Sequence, residues 1–449
     1  MESYERESLL MDEKNTLSSG MTSDYSTSAV PENSKKSFVN SAAVWFGFTV
    51  SISAFLTGGT LGAGLTASKG LLAVLIGNCV LMVIAVLLGV IGQRTGLTTA
   101  SLGRIVFGKK GSVISSVVLG VLGMCLIGVL MNSFGTSIAA LLPGFPGFVA
   151  ILIFAVCITS SAIFGYKGLT IISFIAVPAL LILLLVSLIA TSKHVGGDLS
   201  TVFAMQPVGE LTMAAGISNV ISTWANGACL SADISRYSKK PSHIVGSVAF
   251  GFIVGTSVFE GSAVLMSVAT GKGNFTDIFN ALGLLIPGLL VLLLALWTTT
   301  DNNVYSSSLA FTNMSELVGI KIPKWGWTII CVAIAVLAST FGFANNFGKW
   351  LGYLGAFTTP FAGVLIAHFW VLNSPKAKEY TMPVGFRPSA FLSWIIGFVV
   401  CRIVVANQAA IPVPSSIMGM ATGFVVYIIL AKLLDRKKDT DERFVIEEK

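Results

Sequence analysis

The chain has 449 residues, of which 54% are hydrophobic and only 11% charged, with a net charge of +7 and a mean hydropathy of +0.84. A soluble domain carries about 25% charged residues, so this composition excludes a soluble globular protein. The excess of positive charge follows from membrane topology and does not indicate a nucleic acid polymer as partner.

Residues 1–37 are polar and Ser/Thr-rich, beginning "MESYERESLLMDEKNTLSSG". They lack the apolar core of a signal peptide and are read as a disordered cytoplasmic tail. Uncharged runs then cover 37–68, 70–93, 111–166, 168–192, 211–232, 278–300, 325–348, 350–375 and 403–431. A spanning helix needs about 20 apolar residues. The run 111–166 holds two, turned around at "LLPGFPG", while 241–259 and 388–401 continue past single charges at Glu260 and Arg402. Twelve spans result, making an all-α polytopic membrane protein. Residues 38–372 form a ten-span core, with repeats over about 38–192 and 211–372. Spans 11 and 12 lie in 373–434, and 435–449 form a charged cytoplasmic tail.

The six cysteines (79, 125, 157, 229, 331 and 401) lie in or beside apolar runs without CxxC spacing. They read as small buried residues rather than disulfide or zinc ligands. With the N-terminus inside, the inner loops hold Arg94, Arg104, Lys109, Lys110, Lys167, Arg236, Lys239, Lys240, Lys321, Lys324, Lys376, Lys378 and Arg387. The outer side holds only Lys69, Lys193, Lys272, Lys349 and Arg402. The positive-inside rule places both termini in the cytoplasm, across a plasma or inner membrane.

Two spans read as broken. "FLTGGTLGAGLTA" (55–67) in span 1 carries Gly58, Gly59, Gly62 and Gly64, and "STWANGACLSADISRY" (222–237) in span 6 carries Asn226, Gly227, Ser231 and Asp233. Small residues also let membrane helices pack closely. Yet interrupted helices at matching positions of two halves point to a transporter site, and spans 1 and 6 are five apart. An odd offset makes equivalent helices antiparallel, which is a five-plus-five inverted repeat. The glycines of 55–67 are therefore read as a break beside a mid-membrane site.

"TGGTLGAGL", "LLAVLIGN" (71–78), "TGLTTASLGRIVFGKKGS" (95–112), "SFIAVPA" (173–179), "LSADISRY" (230–237) and "LWTTTDNNVYSSSLAFTN" (296–313) resemble the nucleobase:cation symporter-1 family, and within it the bacterial cytosine permeases. The likeness runs from about residue 40 to 370 and more loosely beyond. It implies the LeuT-type fold, with interrupted spans 1 and 6 and two C-terminal helices added to the core. It also implies cation-coupled uptake of a nucleobase, hydantoin, allantoin or related vitamin by alternating access. No enzymatic cofactor is expected; sodium is the implied coupling ion, with a proton as the alternative.

The resemblance implies a sodium site from carbonyls near Gly47, Val50 and Ala295 with the hydroxyls of Thr298 and Thr299. Read from the sequence alone, a Thr pair in a membrane helix bonds back to its own turn. The implied substrate site lies between spans 1, 3, 6 and 8. A planar heterocycle needs an aromatic face and amide-type edge partners, which Trp224, Thr223 and Asn226 supply at positions where cytosine permeases carry Phe, Ser and Ser. Where those permeases place Gln and Trp on span 3 and Asn on span 8, this chain has Gly123, Leu126 and Ala295. The substitutions suggest space for a larger or more apolar heterocycle. An outer gate is expected on span 10 around Tyr353 to Phe357.

Ionisable groups inside a membrane are functional candidates. Asp233 beside Arg236 suggests a salt bridge or helix-terminus contact. Asp301, following the Thr cluster, suits the cation site, a helix cap or a gating network. Glu260 in "TSVFEGSAVLM" would carry a proton, pair with another polar group or face a wet crevice. His368, where relatives often have Asp, suits a structural contact better than a relay. No nucleophile–base pair, HExxH or filter loop is visible, which leaves a secondary transporter ahead of an enzyme or channel. A transporter-like sensor is the different-class alternative, although the tails are short for an output domain. No obligate protein partner is evident.

Overall fold

The first span is interrupted, and not at its glycines. In the computed structural model, which describes residues 25–26, 28–142, 144–340, 347–408, 410–435 and 441–446, α1 (Phe38–Thr49) and α2 (Ile52–Gly64) meet at a 50° bend. The sequence at the joint is Thr-Val-Ser-Ile-Ser, whose hydroxyls compete with helical hydrogen bonding. Val50 leaves the helix at φ −83°, ψ 101°. Ser51 adopts an extended conformation, and its hydroxyl accepts from the Ala54 amide at 3.5 Å. A new helix thus starts after only two non-helical residues, Val50 and Ser51.

The glycines 58–64 lie within continuous α2, so the expectation of a break there is corrected. They form a packing seam. A Cβ on Gly58 would overlap the carbonyl oxygen of Glu260, one on Gly62 that of Val264, and one on Gly59 that of Gly273. Small residues four apart let two backbones touch. The Ser267 hydroxyl donates across the same seam to the Gly59 carbonyl at 2.8 Å.

Span 2 is α3 (Ala67–Thr95), ended by Gly96 at φ +69°, and the short α4 (Thr99–Phe107) leads to α5 (Lys109–Leu141), span 3. Spans 4 and 5 are α6 (Gly147–Ile163) and α7 (Tyr166–His194). The second interrupted span comprises α8 (Met213–Cys229) and α9 (Ser231–Ser235), separated at Leu230. Asn226 and Gly227 remain helical, and the break falls between them and Ser231, inside the stretch that suggested it. Span 7 begins as α10 (Pro241–Ala249), widens into a π turn over Phe250–Thr256 and finishes as α11 (Ser257–Thr270).

The short α12 (Phe275–Ala281) precedes α13 (Leu285–Leu317), span 8. Then come α14 (Lys324–Thr340), α15 (Phe347–Ile366) with a terminal π turn, α16 (Pro388–Ala406) and α17 (Ser415–Leu434). Among the described residues eight helices are long and apolar enough to cross a bilayer, and α1 with α2 makes a ninth; α6 and α14 are shorter apolar helices. The outward faces of α6, α7 and α16 expose Leu152, Val156, Ile182, Leu185, Ile395 and Val399. That is a surface made for lipid rather than water.

Described parts of both segments read as tails are bonded to the rest of the chain. Residues 1–24, 27, 436–440 and 447–449 of those tails lie outside the described residues. Within 25–37, the Val30 amide donates to Gly96 at 3.1 Å and Lys36 to Tyr237 at 2.6 Å, while buried Lys35 donates to the Gln93 carbonyl at 3.3 Å. At the other end, β2 (Glu442–Val445) pairs antiparallel with β1 (Glu379–Met382), Tyr380 opposite Phe444. The two segments meet, since Val30, Arg94 and Phe444 line one cavity. A polar composition conceals this order because the bonds come mostly from backbone groups.

Candidate functional site

The two interrupted spans touch where the breaks leave their side chains. Thr57 on α2 and Thr223 on α8 share a hydrogen bond of 2.6 Å, and the Thr223 hydroxyl also bonds back to the Asn219 carbonyl at 2.8 Å. Trp224 is buried and meets Phe48 of α1 edge-to-face, with centroids 5.0 Å apart at 80°. Phe48 in turn fills the space over Gly227, where a Cβ would stand 2.9 Å from its ring. The Trp224 indole Nε1 and both polar atoms of the buried Asn226 side chain have no hydrogen-bond partner among the described residues. Buried polar atoms are ordinarily paired, and an unpaired one costs about 1–3 kcal/mol. Three such atoms lie on one turn of α8.

Spans 1 and 8, which carry the cation candidates, share an apolar core. Phe46 and Val50 of span 1 lie in it with Ala295 and Leu296 of α13, and Gly47 is buried one turn before the bend. The Thr298 hydroxyl donates back to the Ala295 carbonyl at 3.0 Å, the own-turn bond that the sequence alone favours. Thr299 differs: its buried hydroxyl, like that of Thr300, Oδ2 of Asp301 and Oδ1 of Asn302, has no hydrogen-bond partner among the described residues. Asp301 accepts from Ser161 of α6 at 3.0 Å, and Trp297 reaches the same serine at 3.3 Å. No cluster of three His, Cys, Asp or Glu occurs among the described residues.

Of the positions read as opened space, Gly123 and Leu126 are packed and Ala295 borders a void. A Cβ on Gly123 would overlap the Ser307 hydroxyl, so α5 and α13 are in contact there. Leu126 packs beside Leu122, Leu354 and Phe357. Ala295 lies in a small apolar void with Phe55, Leu180, Phe259 and Phe275. On span 10, Tyr353 stacks on the Arg402 guanidinium at 4.3 Å, and Phe357 stacks on Phe398 at 4.1 Å. Both of those contacts are with α16. The face of α15 turned toward α8 is instead that of Gly355, against which Ser222 lies.

Among the ionisable candidates, Asp233 accepts from the Thr99 amide at 2.7 Å and so caps α4. Arg236 donates to the Tyr25 carbonyl at 2.6 Å and the Tyr305 hydroxyl at 3.0 Å. The fully buried Glu260 accepts from Asn78 of α3 at 2.7 Å. His368 lies 2.9 Å from the Tyr427 hydroxyl and 3.2 Å from Arg387, a structural contact. Arg387 also pairs with Asp435 at 3.4 Å, whose carboxyl burial pushes up against the pull of Ser389 and Arg387. Phe48, Thr57, Asn78 and Ser307 were not singled out from the sequence. Thr57 sits inside the glycine stretch and Phe48 just before the break, and both gain meaning only once the bend is located at Val50 and Ser51.

Two interrupted helices five spans apart, in a chain of spanning apolar helices, fit a membrane transporter of the LeuT type. The family model for permeases of cytosine/purines, uracil, thiamine and allantoin matches residues 29–430. The chain belongs to this family, the nucleobase:cation symporter-1 family, and is a transporter rather than an enzyme. It is 30% identical over 419 residues to the cytosine permease of Escherichia coli (strain K12), covering 92% of this chain and 96% of that one. It is 26% identical over 376 residues to the vitamin B6 transporter TPN1 of Saccharomyces cerevisiae, covering 76% and 62%. In fold it matches Mhp1, a nucleobase-cation-symport-1 family transporter solved in a closed conformation with bromovinylhydantoin bound; the TM-score is 0.77 at 16% identity, over 91% and 95% of the two chains.

Proposed function

We propose that the protein imports a planar nitrogen heterocycle, cytosine or a related nucleobase, together with sodium, by alternating access. The observation that carries this reading is the buried, unpartnered amide of Asn226 next to the free indole N–H of Trp224. A nucleobase edge presents alternating donors and acceptors, which an amide can match on both sides. The Trp224 ring offers the stacking face. Relatives that carry cytosine and vitamin B6 support a heterocycle in general, and the filled positions at Gly123 and Leu126 speak for a small one.

Sodium is the cargo's companion in this reading. Its site combines backbone carbonyls freed near Gly47 and Val50, the Ala295 carbonyl and the hydroxyls of Thr298 and Thr299. The unpaired Thr299 hydroxyl and the break at Val50 support it. Closure over span 10 then precedes inward release, with both termini on the cytoplasmic side and the bilayer as the one obligatory surrounding.

A thermal-shift screen of the purified protein tests the reading. Cytosine, hydantoins, allantoin and thiamine precursors are each added with and without sodium, since a ligand that binds the folded state raises its stability. Stabilisation by cytosine only in sodium is the expected result. Stabilisation by another heterocycle transfers the site to that ligand and assigns the altered specificity to Asn226, Gly123, Leu126 and Ala295.

A further inference from the structure

The contact between Glu260 and Asn78 has a hydrogen-bond pattern that one proton completes. Glu260 lies on α11 and Asn78 on α3, both with no exposed surface. Asn78 Nδ2 donates to Glu260 Oε2 at 2.7 Å and to the Val74 carbonyl of its own helix at 3.1 Å. Both amide hydrogens are thus used, and the second acceptor fixes which way the amide points, because a flipped amide would set its oxygen against the Val74 carbonyl. Two atoms are left over: Asn78 Oδ1 and Glu260 Oε1, each buried and without a partner among the described residues. Both are acceptors when Glu260 is ionised. A proton on Oε1 turns that oxygen into the donor Oδ1 lacks, closing the acid–amide pair.

Nothing around the pair favours a charge. Of the elements packed on α11, α2 and the π turn contain no ionisable side chain. On α3, Lys69 and Arg94 stand near the two ends and the thiol of Cys79 adjoins Asn78; on α7, Tyr166, Lys167, Lys193 and His194 are terminal; on α12, Asp277 is exposed. The polar partner of Glu260 among the described residues is Asn78. An isolated carboxylate in so dry a site is far costlier than a neutral acid.

We propose that Glu260 and Asn78 form a one-proton binding site that clasps span 7 to span 2 alongside α2, the second half of span 1. Protonation makes an Oε1–H bond with a proton taken from water, and release returns it to water. The location gives the clasp its reach. The Glu260 carbonyl is the surface on which Gly58 rests, and the preceding residue, Thr57, holds Thr223. This site is independent of which heterocycle or cation the carrier moves.

Infrared difference spectra of the full chain in lipid nanodiscs, wild type minus Glu260→Gln, test the proposal without any substrate. The expected result at neutral pH is a protonated carboxylic-acid carbonyl band in the wild type that the variant loses. A carboxylate band in its place overturns the proposal. Thermal unfolding from neutral to alkaline pH supplies the second readout. The stabilisation is present while Glu260 holds its proton and is lost as the pH rises through its titration. The wild type therefore loses stability with pH, while Glu260→Gln, whose amide donates to Asn78 Oδ1 at every pH, lacks that part of the loss. Parallel pH profiles for the two proteins overturn the clasp. If Glu260→Gln fails to fold, Asn78→Asp read in the same two assays replaces it. That carboxyl pair shares one proton and steepens the alkaline loss, and an unchanged profile overturns the proposal equally.

Discussion

Thr57 and Thr223 join the two interrupted spans through a 2.6 Å hydroxyl contact, one residue from the glycine seam on one side and one residue from Trp224 on the other. A buried hydroxyl pair contributes about 0.5–1.5 kcal/mol. Thr57→Val and Thr223→Val, alone and together, should show a coupling energy of that size in a double-mutant cycle read by thermal unfolding. Additive losses would mean that the two hydroxyls do not act on one another.

Trp224 is predicted to carry the stacking face. Stacking of a base on an aromatic ring is worth about 1–3 kcal/mol by alanine substitution, roughly 5- to 150-fold in Kd. Trp224→Ala should weaken heterocycle binding by that factor in equilibrium titration, and Trp224→Phe should restore most of it. Equal affinity for wild type and Trp224→Ala removes the role.

The glycine seam makes a stability prediction. Gly58→Val puts side-chain atoms into the Glu260 carbonyl and should cost about 1–3 kcal/mol or more through overpacking. Gly352, on α15, has no atom within 4 Å of an added Cβ. Gly352→Ala should be neutral or slightly stabilising, because alanine is the better helix former by about 1 kcal/mol. Differential scanning measurements in detergent rank the two.

The neighbouring threonines of span 8 should separate. The Thr298 hydroxyl is already spent on its own helix, whereas that of Thr299 is free. Thr299→Ala is expected to raise the sodium concentration needed for half-maximal ligand stabilisation more than Thr298→Ala does. An unchanged sodium dependence in both variants contradicts the assigned cation site.

The class of fold was legible because uncharged runs of spanning length are counted directly from the sequence, and the inverted repeat because two polar interruptions lie five spans apart. The position of the first break was not. Glycines at 58–64 drew the reading in span 1, yet the chain turns at Val50–Ser51. In span 6 the turn at Leu230 falls between the Asn-Gly pair and Ser231, within the stretch that was read as broken. Glycine in a membrane helix signals close approach as readily as interruption, and only the facing carbonyls of Glu260 and Val264 decide between them. Gly123 shows the same limit, since the sequence reports a missing side chain and cannot report that Ser307 occupies its place. Trp224, Asn226 and Thr223 were legible because a tryptophan and an amide are conspicuous in an apolar span. Phe48 is one apolar residue among many until its ring is found over Gly227.

The most direct test of the account is the ligand-induced thermal shift of the purified full-length protein with cytosine, measured in matched sodium and potassium buffers and repeated with Asn226→Ala. The account predicts a rise in unfolding temperature with cytosine that is larger in sodium and is lost in Asn226→Ala. A shift of equal size in both salts, or one that survives Asn226→Ala, would contradict a sodium-coupled carrier that reads its substrate through the amide of span 6.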